Sequence, residues 1–207
     1  MNFPFKKNQL KIMQNNKSNK IIIITGFSAS GKDTLAKILN RKYGYNFVVL
    51  TTTRPIRDCE SQRDPYNFIN KDEFIQLINE NRLIEYKAYN TLLNNVPDTW
   101  YYGVESNEIN DVDSYVLVRD IEALSGYKER YGERVVSFFI DADEKSRKQR
   151  CQIRGDFDET EWNRRLLDDN NKYPMSVIEN EVNCIISETN LDKIIDVMSI
   201  IIKTYSN

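Results

Sequence analysis

Histidine is missing from all 207 residues. Its absence removes a histidine general base, Ser-His and Cys-His nucleophile pairs, and imidazole metal ligation. Any chemistry must run on carboxylates, lysine, arginine, tyrosine and a bound cation. Cysteine is scarce too. Cys59, Cys151 and Cys184 are odd in number, far apart and without a C-x-x-C pair, so neither a disulfide framework nor a zinc site is suggested, and a reducing cytoplasmic setting is expected. Long apolar runs are also lacking. None approaches the roughly 18–20 residues that span a bilayer, and no signal-peptide pattern precedes the first apolar run, so no membrane partner is expected.

What is present suits a small α/β domain with insertions: 40% hydrophobic residues are enough for one core. The net charge of -2 hides an uneven layout. Lys6, Lys7, Lys11, Lys17 and Lys20 occur without a single acid among residues 1–20. Residues 1–19 are expected to be a disordered basic leader, with an arm for RNA or an acidic partner as the alternative. Elsewhere basic residues are scattered among acids, so nothing else points to nucleic acid. Residues 20–207 read as one folded domain.

Apolar runs alternate with helical patterns along the chain, which predicts a mainly parallel sheet flanked by helices. Strands are expected at Ile21–Thr25, Asn46–Leu50, Tyr115–Val118, Val135–Ile140 and Cys184–Ile186. Helices are expected at Asp33–Lys42, Ile121–Tyr131, Glu144–Arg154, Trp162–Asn171 and Leu191–Ile202. Residues 52–113 break the alternation, with short strands at Tyr66–Ile69, Leu83–Ala88 and Trp100–Val104 and a helix at Lys71–Asn79. Such insertions usually carry substrate contacts.

Between the first strand and first helix stands G-F-S-A-S-G-K-D-T, that is Gly26, Phe27, Ser28, Ala29, Ser30, Gly31, Lys32, Asp33 and Thr34. Strand, glycine loop, lysine and helix come in the order that holds a nucleoside triphosphate by its phosphates. Backbone N–H groups and the helix dipole face the anion, and Lys32 adds a mobile charge. The strict pattern has Ser or Thr directly after the lysine, whereas here Asp33 intervenes before Thr34. A second block, T-T-T-R-P-I-R-D-C-E over residues 51–60, puts Arg54 and Arg57 three apart beyond a strand end, where α/β sheets place ligands. Two guanidiniums there can fork onto one phosphate. Taken alone, they could equally be solvated surface arginines.

With the next motifs the chain resembles the guanylate kinase family of nucleoside monophosphate kinases over nearly everything after residue 20. The glycine loop, T-T-R-P-x-R-x-x-E, D-P-Y-N-F-I-N-K-D-E-F (64–74), L-I-E-Y (83–86), W-Y-Y-G (100–103), the I-R-G turn (153–155) and N-R-R-L (163–166) occur in the family's order. The resemblance implies a phosphate-loop kinase with a core at 20–50 and 112–207, a monophosphate-binding insertion at 51–111, and a lid at about 150–168. It implies ATP as donor and GMP or dGMP as acceptor. Arg54, Arg57, Tyr66 and Tyr102 would hold the acceptor phosphate, Glu85 would bind the guanine edge, and Arg150, Arg154 and Arg165 would neutralise the transferring group. Mg2+ would bridge the donor phosphates, met by Thr34, by Asp33 through water, and by Asp120, which also lies at the monophosphate side. Asp120 could instead be a helix cap.

The chain departs from the family near the base pocket. Leu50, Val104 and Val118 stand where relatives commonly carry Ser, Ser and Asp, which leaves base preference open. Ribose 1,5-bisphosphate kinases share G-K-D-[ST], but a sugar phosphate gives Glu85 nothing to bind. A non-catalytic guanylate-kinase-like binding module does not need a triphosphate cradle. Residues 89–100 hold a long loop, read as a hairpin extension. Monomer and dimer both remain open.

Overall fold

The computed structural model describes residues 19–56, 60–63, 66–93, 96–154 and 157–205; the side chains of residues 91–93, 96 and 154 also stay outside the description. The basic leader therefore lies outside the described residues except for Asn19. The chain forms two compact units. One joins the residues up to Asn46 to those from Val112 onward; the other is Phe47–Asp111.

The first unit is built on strand β1 (Ile21–Gly26), whose four isoleucines are completely buried. A continuous apolar run suits a central strand covered on both faces. β1 pairs in parallel with β7 (Tyr115–Val118) and with β8 (Val135–Ile140). β9 (Cys184–Ile186) adds in parallel beyond β8, and β2 (Asn46–Phe47) lies beyond β7, giving the order β2-β7-β1-β8-β9. Helix α1 (Lys32–Tyr43) buries Leu35, Ala36, Leu39 and Tyr43, and ends on Gly44 in the left-handed region. Ile194, Ile195, Met198 and Ile202 give the last helix, α7 (Leu191–Thr204), its buried stripe; Asn190 caps its start by accepting from Asp192 N and Lys193 N. Both helices join the cluster formed by Ile22, Ile24, Val116, Val136 and Phe138.

Three further strands of the expected set keep their bounds, but Asn46–Leu50 does not. β2 stops at Phe47, and a separate β3 (Leu50–Thr52) belongs to the other unit. Thr51 and Thr52 are fully buried and pair with Gly103 and Tyr102 on one side and Asn67 and Phe68 on the other. Those partners, which propensity does not reveal, move the strand. The expected helix Ile121–Tyr131 is a 3-10 turn (Ile121–Ala123) followed by α3 (Leu124–Tyr131). The helix α4 (Glu144–Arg154) is as expected. Helix α5 (Glu159–Lys172) starts earlier than Trp162, because Asp158 caps it through Glu161 N. A short α6 (Met175–Glu181) follows Pro174 and was not foreseen.

The second unit holds a four-stranded sheet, β4-β3-β6-β5, with β4 (Tyr66–Phe68), β5 (Leu83–Leu93) and β6 (Val96–Glu105). β5 and β6 are longer than expected and pair until Leu93 meets Val96. The described residues of the long segment at 89–100 thus extend the two paired strands. Helix α2 (Lys71–Asn79) begins with a capping box: Asn70 accepts from Glu73 N at 2.8 Å, and Glu73 accepts from Asn70 N at 2.9 Å.

Gly26 closes β1 at φ +141°, and a Cβ there would stand 2.6 Å from the Ile140 carbonyl oxygen. Both conformation and space demand glycine. Gly26→Ala is therefore expected to cost at least about 2 kcal/mol. Urea unfolding measures it, and an unchanged midpoint would contradict the packing described.

Candidate active site

The loop after β1 is shaped by three local devices. Gly31 takes φ +102° and Ala29 φ 59°, both in the left-handed half of backbone space. Ser30 N donates to Phe27 O at 3.2 Å, closing a turn. Gly31 then forms the N-cap of α1 without any side-chain cap, so the helix's first N–H groups lack the oxygen that usually covers them. The Ser30 hydroxyl is buried with no hydrogen-bond partner among the described residues. Asp33 and Thr34, in the first turn of α1, are exposed. These features form an anion cradle.

Lys32 is folded over the loop, its Nζ donating to Gly26 O at 2.8 Å and Phe27 O at 2.7 Å. Burial lowers its pKa, while Asp169, Asp33 and Asp120 act in the opposite direction. Both acceptors are neutral carbonyls, so the bonds to the ammonium involve no opposite charge.

Asp169 fixes the loop. Ser28 N donates to its Oδ2 at 2.8 Å, and Ser28 Oγ to its Oδ1 at 3.0 Å. Arg147 Nη1 reaches Asp169 Oδ2 at 3.2 Å and Ser28 O at 3.3 Å, while its Nε donates to Ala142 O at 3.1 Å. The guanidinium lies 4.7 Å from the Phe27 ring centroid and 5.6 Å from that of Trp162. Phe27 also packs edge-on against Phe139 and Tyr173. Both ions are more than nine-tenths buried. Sequence reasoning missed the pair, yet Asp169 falls in helical step with Trp162, Leu166 and Tyr173, an acid at an inward position.

A cavity of about 290 Å³ opens beside the loop, lined by Gly26, Ser28, Lys32, Asp120, Asp169 and Tyr173, and by Arg164, Arg165, Asp168 and Lys172 from α5. Arg165 is thus among the residues that line this cavity. Its Nε donates to Glu161 at 2.7 Å, and Arg164 also holds Glu161, whose carboxyl the two arginines push down to about 2. Asp120 reaches the pocket but does not cap the following turn with its side chain. It accepts from Lys172 Nζ at 2.7 Å and from the Tyr173 hydroxyl at 3.2 Å. Burial, then the Asp120 charge, raises the Tyr173 pKa, so the phenol stays a donor.

Arg150 stands elsewhere than expected. Its guanidinium donates to Ala29 O at 3.2 Å, Ser30 O at 2.8 Å and Thr189 O at 3.2 Å, bracing the loop's carbonyls. Arg154 ends α4, and its side chain lies outside the described residues.

In the second unit Arg54 is 5% exposed. It donates to Glu60 Oε1 at 2.7 Å and to Pro55 O at 2.9 Å, and lies 5.5 Å from the Tyr66 ring centroid and 5.4 Å from that of Phe68. Hydrogen bonding to Glu60, and to a lesser extent Tyr102, raises its pKa further. Tyr66 and Tyr102 meet edge-on at 5.9 Å, and Tyr102 meets Tyr89 at 5.5 Å. Arg54, Tyr66 and Tyr102 are brought together; Arg57 lies outside the described residues. Glu85, half-buried on β5, is the ladder partner of fully buried Val104.

The sequence model of the guanylate kinase family matches residues 18–205. A guanylate kinase of Clostridium tetani is 32% identical over 140 residues, covering 65% of this chain and 63% of that protein. One from Onion yellows phytoplasma is 28% identical over 183 residues, with 82% of each chain covered. The chain spans less than two thirds of the length of the Clostridium relatives it matches, 63% and 65%. The crystal structure of guanylate kinase from Anaplasma phagocytophilum superposes with a TM-score of 0.56 at 22% identity, over 92% of this chain and 87% of that one, a likeness of fold.

Removing one partner of a buried ion pair leaves the other uncompensated. Asp169→Leu and Arg147→Met should each cost about 3–5 kcal/mol in chemical denaturation, and the double variant should recover most of it. Additive losses would show that the two side chains do not act as a pair.

Proposed function

The chain belongs to the guanylate kinase family, and on that premise we propose that it transfers the γ-phosphate of ATP to GMP or dGMP in the cytoplasm. The observation that carries this reading is the glycine loop with Lys32 over it, opening onto a cationic pocket with Arg165. Phosphoryl transfer asks a protein mainly to position two anions and offset their charge. In the first unit the uncapped start of α1 and Lys32 take the donor's phosphates, with Arg165 on the transferring group. Arg150 serves this site through the loop it braces, and Arg154 belongs with the lid at about 150–168. In the second unit Arg54, prealigned by Glu60, takes the acceptor phosphate with Tyr66, Tyr102 and Arg57.

Among the described residues no three acidic or cysteine side chains gather as a metal cage. Magnesium in such sites usually rests on one or two carboxylates plus substrate phosphates. The Thr34 hydroxyl and the Asp33 and Asp120 carboxylates are hard oxygen donors of that kind, and they fit. Bound there with ATP, the ion would offset charge on the outer phosphates. Glu85 is the residue assigned to the guanine edge. With Leu50 and Val104 apolar, fewer donors remain for the base carbonyl. Among the described residues no helix is long and apolar enough to cross a membrane.

The test is diphosphate formation from ATP, magnesium and each monophosphate in turn; no product with any of them would overturn the reading. Lys32→Ala should lower kcat by about 10²–10³, and wild-type turnover in that variant would remove Lys32 from the site. Glu85→Gln should raise KM for the guanine monophosphate about tenfold more than for the others. An unchanged ranking of the four bases would take Glu85 out of base recognition.

A further inference from the structure

Two cations of the pocket have no part in the function so far, Arg164 and Lys172, and among the described residues only Lys172 is bonded to one outside α5. It is the last residue of α5, and its Nζ donates to Asp120 Oδ2 at 2.7 Å. The other carboxylate oxygen accepts from the Tyr173 hydroxyl at 3.2 Å. The two partners differ in freedom. Tyr173 is buried, its ring fixed edge-on against Phe27 and Phe139 at 5.8 and 5.3 Å. The Lys172 side chain is 33% exposed on a flexible four-carbon stem, and the C-terminal end of a helix favours its positive charge. Lys32 rests on neutral carbonyls; within α5, Arg165 is tied to Glu161, and Arg164 to Glu161 and Asp168. Among these four cations, Lys172 is the one bonded to a pocket-lining carboxylate from outside its own helix, whereas Arg164 meets Asp168 within α5.

From this arrangement we propose that Lys172 is a second mobile cation for the donor's polyphosphate. In the nucleotide-free protein it neutralises Asp120. When a triphosphate enters, the ammonium passes to the phosphates and releases the Asp120 oxygen toward the hydrated divalent cation that accompanies the nucleotide. The exchange follows from charge. An ammonium and a hydrated divalent ion cannot share one carboxylate oxygen without repulsion, whereas a polyphosphate next to Asp120 repels it unless a cation stands between them. Metal-free nucleotide therefore leans on Lys172, and metal-loaded nucleotide leans less on it. The inference rests on reading this pocket as the donor site.

Calorimetric titration of the full chain with ATP, in EDTA and in magnesium, tests it. Lys172→Met should weaken metal-free binding about tenfold and magnesium-loaded binding by less than about threefold. Lys172→Arg should bind metal-free ATP within about threefold of wild type. Asp120→Asn, which no longer holds the ammonium, should bind metal-free ATP several-fold more tightly. Equal losses in both conditions for Lys172→Met, or no loss in either, would overturn the proposal, as would an Asp120→Asn protein with unchanged or weaker metal-free affinity. If thermal melting shows that Lys172→Met does not fold, Lys172→Gln is titrated in its place, with the same expected and overturning outcomes. A wild-type protein that binds ATP in neither condition would instead refute the donor-site reading.

Discussion

The glycine loop depends on one buried carboxylate. Asp169 takes the Ser28 amide and hydroxyl, and Arg147 joins that carboxylate to the Ser28 carbonyl. A backbone loop with left-handed residues at Ala29 and Gly31 has many alternatives, and this clasp removes them. A buried ion pair adds little net stability, because desolvation offsets most of the attraction. What it supplies is position: two helices, α4 and α5, are bonded to one residue of the loop. The uncapped amides of α1 and the Lys32 ammonium start from that fixed point.

The same arrangement recurs in the second unit in another form. Arg54 is held by Glu60 and flanked by Tyr66 and Phe68. A guanidinium so confined loses little side-chain entropy when an anion arrives, but it must share its charge with a neighbouring carboxylate. In both units, then, a cation is satisfied by protein oxygens, Lys32 by two carbonyls and Arg54 by a carboxylate and a carbonyl. Neither is left as an unpaired charge.

The parts legible in the sequence were those fixed by local spacing. The glycine loop, the strand Tyr115–Val118 and helix Glu144–Arg154 could be read because their signals lie within a dozen residues. The break between β2 and β3 could not, because Thr51 and Thr52 owe their place to Asn67, Phe68, Tyr102 and Gly103, far along the chain. Asp169 and Lys172 were passed over for a related reason. In a helix as polar as α5, an inward acid looks like any other until its partners are known. Arg150 shows the reverse: its motif pointed to a phosphate, yet three backbone carbonyls hold it.

The pairing of β1 has a bearing on how the chain acquires its structure. Ile21 lies beside Tyr115 on one flank and Val135 on the other, so the second unit is synthesised before either neighbour exists. Four consecutive isoleucines with strong β-propensity must wait through that interval without their final cover. Distant pairings of this kind slow folding and expose sticky edges to other chains. The nascent polypeptide is thus most vulnerable to aggregation before translation passes β8, and a holdase protecting Ile21–Ile24 would be of most use in that window.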